Sequence, residues 1–173
     1  MDVIVPPARR RPGHRPAGFT IIELMVTVAI AGILAAYGLP ELRILITNQR
    51  VRGVTTDLVA SLIYARSEAI KRNAQVSLVP NNGGSDWAGG WKVKVGTTEL
   101  RAQDPLTGIT TIGPVGNVTY RGNGRLPGSS QIEFRFRSSQ MSQVTMRCVV
   151  IDASGRPTIL MDNDTDITNG CTT

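Results

Sequence analysis

The chain has 173 residues, 41% of them hydrophobic, and its 19 Lys and Arg against 13 Asp and Glu give a formal net charge of +6. This size suits one domain with a modest core, and the hydrophobic content argues against a disordered chain. The single histidine, His14, lies in a basic N-terminal stretch, which excludes histidine-based triads, metal clusters and general bases from the rest of the chain.

A basic leader precedes an apolar segment at the N-terminus. Residues 1–17 carry four arginines and one aspartate, and their four prolines prevent a stable helix. From Gly18 to Pro40 the sequence is apolar, and Glu23 is its only charge. As a helix this segment would reach about 33 Å, enough to cross a bilayer. Because the arginines lie only on the N-terminal side of this segment, the leader is predicted to be cytoplasmic and the residues after the segment to lie outside the cytoplasm.

Glu23 is anomalous because a carboxylate inside a membrane-spanning segment is costly and usually has a partner. Cleavage after Gly18 would supply one, since Phe19 would then carry a new α-amine at the i, i+4 spacing from Glu23. Alternatively, Glu23 lies at the level of the lipid headgroups and has no special role. The small-residue cleavage site of an ordinary secretory signal is not evident after the apolar run.

The residues around this position resemble a known processing site. The run Gly18–Leu24 is similar to the site in type IV pilins and type II secretion pseudopilins, where a prepilin peptidase cuts after the Gly and methylates the new N-terminal Phe. The resemblance implies that residues 1–18 are a cleaved leader and that the mature chain begins at Phe19. It also implies that residues 19–40 form the transmembrane and filament-core helix, in which Glu23 helps to register subunits.

An amphipathic helix is predicted to continue over residues 41–74. Its apolar positions advance by three or four residues and form one stripe, made of Val51, Val54, Leu58, Leu62, Ala65 and Ala69. The remaining positions are largely charged and are interpreted as a solvated face. Because no linker separates this segment from the apolar run, one long helix should leave the membrane and place its second half on a sheet.

Residues 75–173 are predicted to form a periplasmic β domain. Short alternating or apolar runs between Gly- and Asn-rich turns indicate seven strands, at Gln75–Val79, Trp91–Val95, Glu99–Ala102, Val118–Arg121, Gln131–Arg137, Val144–Ile151 and Thr158–Met161. The simplest packing is one antiparallel sheet covered on one face by the amphipathic helix. The stretch Thr107–Gly116 is interpreted only as loop or edge.

Three further runs are similar to the GspH/FimT branch of minor pilins and pseudopilins: Tyr64–Arg72, Asp86–Val93 and Gly122–Arg125. The resemblance implies an α+β chain with the type IV pilin fold, in which a long N-terminal helix packs on an antiparallel β-sheet domain. It implies a non-enzymatic subunit that acts with other pilin-like subunits in the initiation or tip complex of a pilus or pseudopilus. Trp87 and Trp91 are interpreted as core or turn-anchoring aromatics, with ligand stacking as the alternative.

Two cysteines occur in the part of the chain predicted to be periplasmic. In an oxidising compartment, Cys148 and Cys171 are expected to form one disulfide. Closing this loop would stabilise the fold by about 3.5 kcal/mol in the chain-entropy model. The alternative is a redox or metal-binding pair, which the lack of a nearby histidine and of C-x-x-C spacing disfavours. We therefore predict no cofactor, metal site or catalytic residue.

DNA binding in natural transformation is the alternative function. Some FimT-type minor pilins bind DNA through a Gly-Arg-x-Arg motif, which Gly155 and Arg156 resemble, although Thr158 replaces the second Arg. A simple turn between two strands is at least as good an interpretation. Three aspartates follow, namely Asp162, Asp164 and Asp166, and their negative charge weakens affinity for phosphate. Their alternate spacing resembles part of a calcium-binding loop, but the Gly and the closing Glu of such a loop are missing.

The other basic candidates are Arg121, Arg125, Arg135, Arg137 and Arg147. Arg135 and Arg137 alternate and therefore share a face, where Arg147 from a neighbouring strand could join them. Such a patch could bind DNA, contact another filament subunit or be a solvated face. From Phe19 onward the chain has 15 cations and 12 anions, so half of the full chain's net charge of +6 belongs to the leader. The net charge therefore does not by itself argue for DNA binding, and that interpretation rests on a few arginines of the β domain.

Overall fold

A computed structural model describes residues 18–128, 130–162 and 166–171 of the chain. The chain divides into two compact units, Met1–Leu39 and Pro40–Thr173, and one helix, α1 (Ile21–Arg72), contributes to both. Within the described part of the chain, α1 is the one helix long and apolar enough to cross a membrane, and its apolar window is unburied. Asn73, at a φ of 47°, ends α1, and the Ala74 N–H donates to the Ala69 carbonyl at 3.2 Å.

Eight strands follow α1 in the described residues: β1 (Val76–Pro80), β2 (Trp91–Val95), β3 (Thr98–Gln103), β4 (Ile109–Ile112), β5 (Val118–Tyr120), β6 (Ile132–Ser138), β7 (Arg147–Ile151) and β8 (Pro157–Met161). They form two four-stranded antiparallel sheets, with strand orders β3-β2-β1-β5 and β4-β6-β7-β8. The hydrophobic core lies where the second half of α1 meets both sheets. Leu58, Leu62 and Ala65 of α1 are fully buried there.

The predicted fold class is confirmed, but the strands form two sheets rather than the single sheet expected. Alternation within a strand shows which side chains share a face, and it carries no information about which strands pair. All seven predicted strands are present, with shifts of a few residues at their ends. β4 was missed because it is a short edge strand in which only Ile109 is buried, so its sequence lacks a clear alternation.

Both tryptophans belong to the core, as predicted. Trp91 is almost fully buried, and its indole N–H donates to the Ser61 hydroxyl on α1 at 3.0 Å, which ties β2 to the helix. The buried Trp87 ring packs edge-on against Phe134 of the second sheet, with ring centroids 4.8 Å apart. Its N–H donates to the Pro114 carbonyl at 2.9 Å. The two rings therefore connect the helix and both sheets.

Candidate functional site

The start of α1 is fixed by a reciprocal pair of side chains. The Thr20 N–H and hydroxyl both donate to Glu23 Oε2, at 2.9 and 3.1 Å, and the Glu23 N–H donates back to the Thr20 hydroxyl at 3.2 Å. This arrangement is a capping box, which satisfies otherwise unpaired N–H groups at a helix N-terminus. Its signature, Thr followed three residues later by Glu, is present in the sequence and was not recognised there.

The capping box places a carboxylate next to the predicted processing site. Thr20, the residue immediately after Phe19, binds the Glu23 carboxylate through its N–H. Phe19, which would carry the new α-amine, is 86% exposed. A Cβ added to Gly18 would meet no atom within 4 Å. The Gly at this position is therefore not required by packing within the described chain.

A second group of polar contacts fastens the C-terminal segment to the outer face of the second sheet. The predicted disulfide between Cys148 and Cys171 is present, with a Cα–Cα distance of 6.1 Å. The Glu133 carboxylate accepts the Cys171 N–H at 3.0 Å, and Arg135 Nη1 donates to the carbonyls of Ile167 and Thr168 at 2.8 and 3.0 Å. Ile167 is buried beside Cys148. We call this arrangement the C-terminal clamp.

The clamp assigns Arg135 a structural role that differs from the predicted DNA contact. Its guanidinium also donates to both oxygens of Glu133 at 3.2 Å, and its side chain is only 20% exposed. Burial raises the pKa of Glu133, but the hydrogen bonds from Arg135 and from the Cys171 N–H outweigh it and leave that pKa below its usual value. Each of the three guanidinium nitrogens of Arg135 thus already donates a hydrogen bond within the fold. Sequence reasoning missed Glu133, which accepts hydrogen bonds from Arg135, two residues away, and from Cys171, 38 residues away.

The predicted grouping of Arg147 with Arg135 and Arg137 is wrong. Directly opposed residues in antiparallel strands share a face, and Arg147 pairs with Phe136, whose ring is buried in the core. Arg135 instead pairs with Cys148, on the opposite face of the sheet. The sequence defines alternation within β6 and within β7, but it does not define the register between them. The patch as predicted therefore does not form.

The Gly155–Arg156 segment is a tight turn between β7 and β8, which agrees with the simpler interpretation. The Asp152 carboxylate accepts the Arg156 N–H at 3.0 Å and the Ser154 hydroxyl at 2.6 Å, and these hydrogen bonds lower the pKa of Asp152. Gly155 has a φ of 81°, a conformation that favours glycine. Tyr120 donates its hydroxyl hydrogen to the Gly155 carbonyl at 3.2 Å, and burial raises the pKa of that phenol to about 12.

This turn lies against the Gly122–Arg125 turn. A Cβ on Gly155 would come within 2.6 Å of the Gly124 carbonyl oxygen, and a Cβ on Gly124 would lie 3.2 Å from Arg66 Nε. Arg125 and Arg156, which directly follow these two glycines, are both exposed. The fold thus brings together two arginine-bearing turns whose arginines, Arg125 and Arg156, are 31 residues apart in the sequence.

The structure describes the surroundings of two of the three aspartates. Asp162 is buried, whereas Asp166 is exposed and accepts the Thr168 N–H and hydroxyl at 2.9 and 2.6 Å. Asp164 lies outside the described residues. Glu133, Cys148 and Cys171 form a cluster of three potential metal-ligand residues. Both sulfurs are bonded in the disulfide, so neither is a thiolate that could bind a metal ion.

Comparison with known proteins identifies the family. The model described as type II transport protein GspH matches residues 54–155, more than half of the chain, and that of the prokaryotic N-terminal methylation motif matches residues 13–39. Two crystal structures of the Pseudomonas aeruginosa (strain PAO1) type IV minor pilin FimU are similar in fold. One has 22% identity and a TM-score of 0.59, covering 72% of this chain and 96% of that one. The other has 24% identity and a TM-score of 0.56, covering 70% and 99%. The chain therefore has the type IV pilin fold and belongs to the GspH family.

Proposed function

We propose that this chain is a minor pilin or pseudopilin, a filament subunit that acts in the initiation or tip complex of a type IV pilus or a type II secretion pseudopilus. In this proposal a prepilin peptidase removes residues 1–18 and methylates Phe19. Residues 19–40 then hold the subunit in the inner membrane as a single span, with residues 75–173 in the periplasm. After assembly the same helix lies in the filament core, where Glu23 registers neighbouring subunits.

The observation that carries this proposal is the exposed apolar part of α1 in a chain with the methylation motif. Ile21, Leu24, Val28 and Leu34 are each at least 60% exposed. Exposed apolar surface of this extent needs a lipid bilayer or other helices around it. The capping box adds support, since it holds the Glu23 carboxylate beside the residue that cleavage would make N-terminal.

Deletion and complementation of the gene would test the proposal. We expect deletion to reduce surface pili or type II secretion, with the affected process identifying the apparatus, and the wild-type chain to restore it. The matched variant is Gly18→Leu, because a side chain at Gly18 has open space in the described fold while obstructing cleavage after that residue. It should leave the domain folded and fail to complement. Unchanged piliation and secretion after deletion would contradict the proposal.

DNA binding is a second candidate function, and the two contacting turns favour it. Arg125 and Arg156 are exposed on adjacent turns, and Arg66 lies beside them. Guanidinium groups on adjacent turns suit phosphate oxygens, whereas the Asp152 carboxylate in the same turn as Arg156 opposes them. This interpretation replaces Arg135 with Arg125 in the candidate interface and predicts weak binding that does not depend on sequence.

Salt dependence of DNA binding would decide this second candidate. Replacing Arg125 and Arg156 together with Ala should weaken binding of duplex DNA and reduce the slope of log K against log salt by about 0.9 for each phosphate that the variant no longer neutralises. Arg101→Ala, at an exposed cation on β3, is the matched control and should change neither quantity. No retardation of DNA at low salt, or an equal effect of the control, would remove the basis of this candidate.

A further inference from the structure

The second sheet is open along the outer edge of β8. At one end of β8 the Arg156 carbonyl accepts the Asp152 N–H, and at the other end the Asp162 N–H donates to the Met146 carbonyl, both at 3.2 Å. In an antiparallel pair, the backbone groups of successive residues point alternately toward the neighbouring strand and away from it. Alternate residues of β8, beginning with Pro157, therefore turn their backbone groups away from β7. Within the described chain, no strand pairs with β8 on that side.

This edge lacks most of the devices that protect an edge strand from pairing with another chain. β8 contains no charged residue, and its Ile159 and Met161 are 37% and 59% exposed. Pro157 removes an N–H only at the first position. By contrast β3, an edge of the first sheet, carries Glu99 and Arg101 and lies beside a register shift in β2. The other two edges, β4 and β5, are only four and three residues long. β8 is therefore the edge best suited to accept a further strand.

The charges at the two ends of β8 indicate which strand could pair with it. The exposed Arg156 comes directly before β8, and the exposed Arg125 lies on the turn that contacts this end. Three aspartates follow β8, namely Asp162, Asp164 and Asp166. An antiparallel strand complements both ends only if a cation precedes it and carboxylates follow it. β8 itself has this order, so a second copy of the chain fits, whereas a strand with carboxylates at both ends would meet the aspartates.

We propose that β8 pairs antiparallel with β8 of a second copy of this chain, around a two-fold axis between the two Ile159 residues. In this register the Ile159 N–H donates to the Ile159 carbonyl of the second copy, and the Met161 N–H donates to its Pro157 carbonyl. Apolar side chains then lie opposite one another along the junction. At each end Arg156 lies opposite Asp162 of the other copy. This inference goes beyond the proposed function and rests on it only for the anchoring of the chain in a membrane.

The size of the edge determines how strong the pairing is. A strand of five residues is about 17 Å long, so pairing along it buries less surface than a stable protein–protein interface does. The pairing is therefore weak in dilute solution. Anchoring in one membrane raises the local concentration of the chain and strengthens the pairing without any new contact. The chain in its own membrane is thus the suitable sample for a test.

Disulfide trapping in the parent cells tests the inference with the full chain. Opposed residues that exchange both hydrogen bonds have Cα atoms about 5.5 Å apart, a distance that a disulfide can span. Ile159→Cys should therefore give a disulfide-linked dimer of this chain after brief oxidation with copper phenanthroline. The natural cysteines are bonded to each other, and Ile159 lies on the opposite face of the sheet from Cys148. Thr98→Cys, at an exposed residue of the charged β3 edge, is the positional control and should give little dimer.

Substitutions at Met161 in the Ile159→Cys chain separate backbone pairing from contact between side chains. Met161→Pro removes an N–H that faces away from β7, so the sheet of each copy should remain intact while the dimer is lost. Met161→Leu keeps this N–H and an apolar side chain of similar volume, and it should leave the dimer unchanged. Thermal unfolding close to that of the Ile159→Cys chain would exclude misfolding as the cause of the loss.

Reversal of one charge tests the same pairing without changing the strand. Arg156→Glu in the Ile159→Cys chain should reduce the dimer about fivefold, the size expected when an exposed attractive contact becomes repulsive. Arg101→Glu, at the exposed cation of β3, is the matched control and should leave the dimer unchanged. This pair of variants decides the question if Met161→Pro disturbs the fold.

The remaining outcomes have distinct meanings. Equal amounts of dimer from Ile159→Cys and Thr98→Cys, a disulfide with a different protein, or an undiminished dimer in a folded Met161→Pro chain would overturn the inference. Absence of the Ile159→Cys dimer from a chain recovered in the membrane would overturn the inference and leave the proposed function standing. A chain that is absent from the membrane would overturn both.

Discussion

At the scale of single residues, several side chains have more specific roles than their types suggested. Glu23 is the closing member of a capping box, and its carboxylate lies 2.9 Å from the backbone nitrogen of Thr20, the residue that follows Phe19. Arg135 was expected on an open basic patch, but it binds Glu133 and two carbonyls of the C-terminal segment. For Arg135, hydrogen-bond geometry distinguishes a structural role from a recognition role, which residue type alone leaves open.

The two roles of Glu23 can be separated by substitution. Glu23→Gln keeps the capping interaction, since glutamine also closes a capping box, but it removes the negative charge. Glu23→Ala removes both. If the charge pairs with the α-amine of Phe19, both variants should be recovered with sheared filaments in much smaller amounts than the wild-type chain. Wild-type recovery of Glu23→Gln would show that Glu23 acts only as a helix cap.

Ser61 should contribute to stability through Trp91. Ser61→Ala leaves the buried indole N–H without its acceptor, and we expect the free energy of unfolding to fall by about 1 to 3 kcal/mol. Ser67→Ala is a matched control, because this exposed hydroxyl donates to the Ile63 carbonyl within the same helix and its removal should change stability by less than about 0.5 kcal/mol. Equal effects in chemical denaturation would contradict this role of Ser61.

At the scale of elements, the local hydrophobic pattern of the sequence predicted most of the helix and strands. It predicted few of the contacts between them. β2 has the predicted bounds, and the buried stripe of α1 was predicted correctly, because both depend on short periodic runs. The two-sheet arrangement, the face on which Arg147 lies and the hydrogen bonds of the C-terminal clamp all depend on strand pairing or on contacts between distant residues. Glu133 and Cys171, for example, are 38 residues apart. Such pairings leave no local signature in one sequence. The disulfide of the clamp, by contrast, was predicted from the two cysteines.

The C-terminal clamp should depend on pH through Glu133. Its pKa is lowered in the fold, so its contribution to stability is present above the ordinary value of 4.5 and is lost as the pH falls through the lowered pKa. Glu133→Gln removes this titration. The loss of stability between pH 7 and pH 3, followed by thermal unfolding, should therefore be smaller in Glu133→Gln than in the wild-type chain. An identical acid loss in both would show that Glu133 does not stabilise the clamp through its charge.

At the scale of the whole molecule, the basic charge of the sequence acquires separate explanations. Four arginines lie in the leader that cleavage would remove, and two others follow the glycines of the two contacting turns. A uniform nucleic-acid-binding surface is therefore not required to explain the composition. The exposed apolar helix, the methylation motif and the GspH match together favour a subunit that is completed by its neighbours.

The most direct test of this account is the mass of the N-terminal peptide of the chain extracted from its own membrane. We predict a chain that lacks residues 1–18 and begins with N-methylated Phe19. A chain that still begins at Met1 in cells with an active prepilin peptidase, or one cleaved at another bond, would contradict the account.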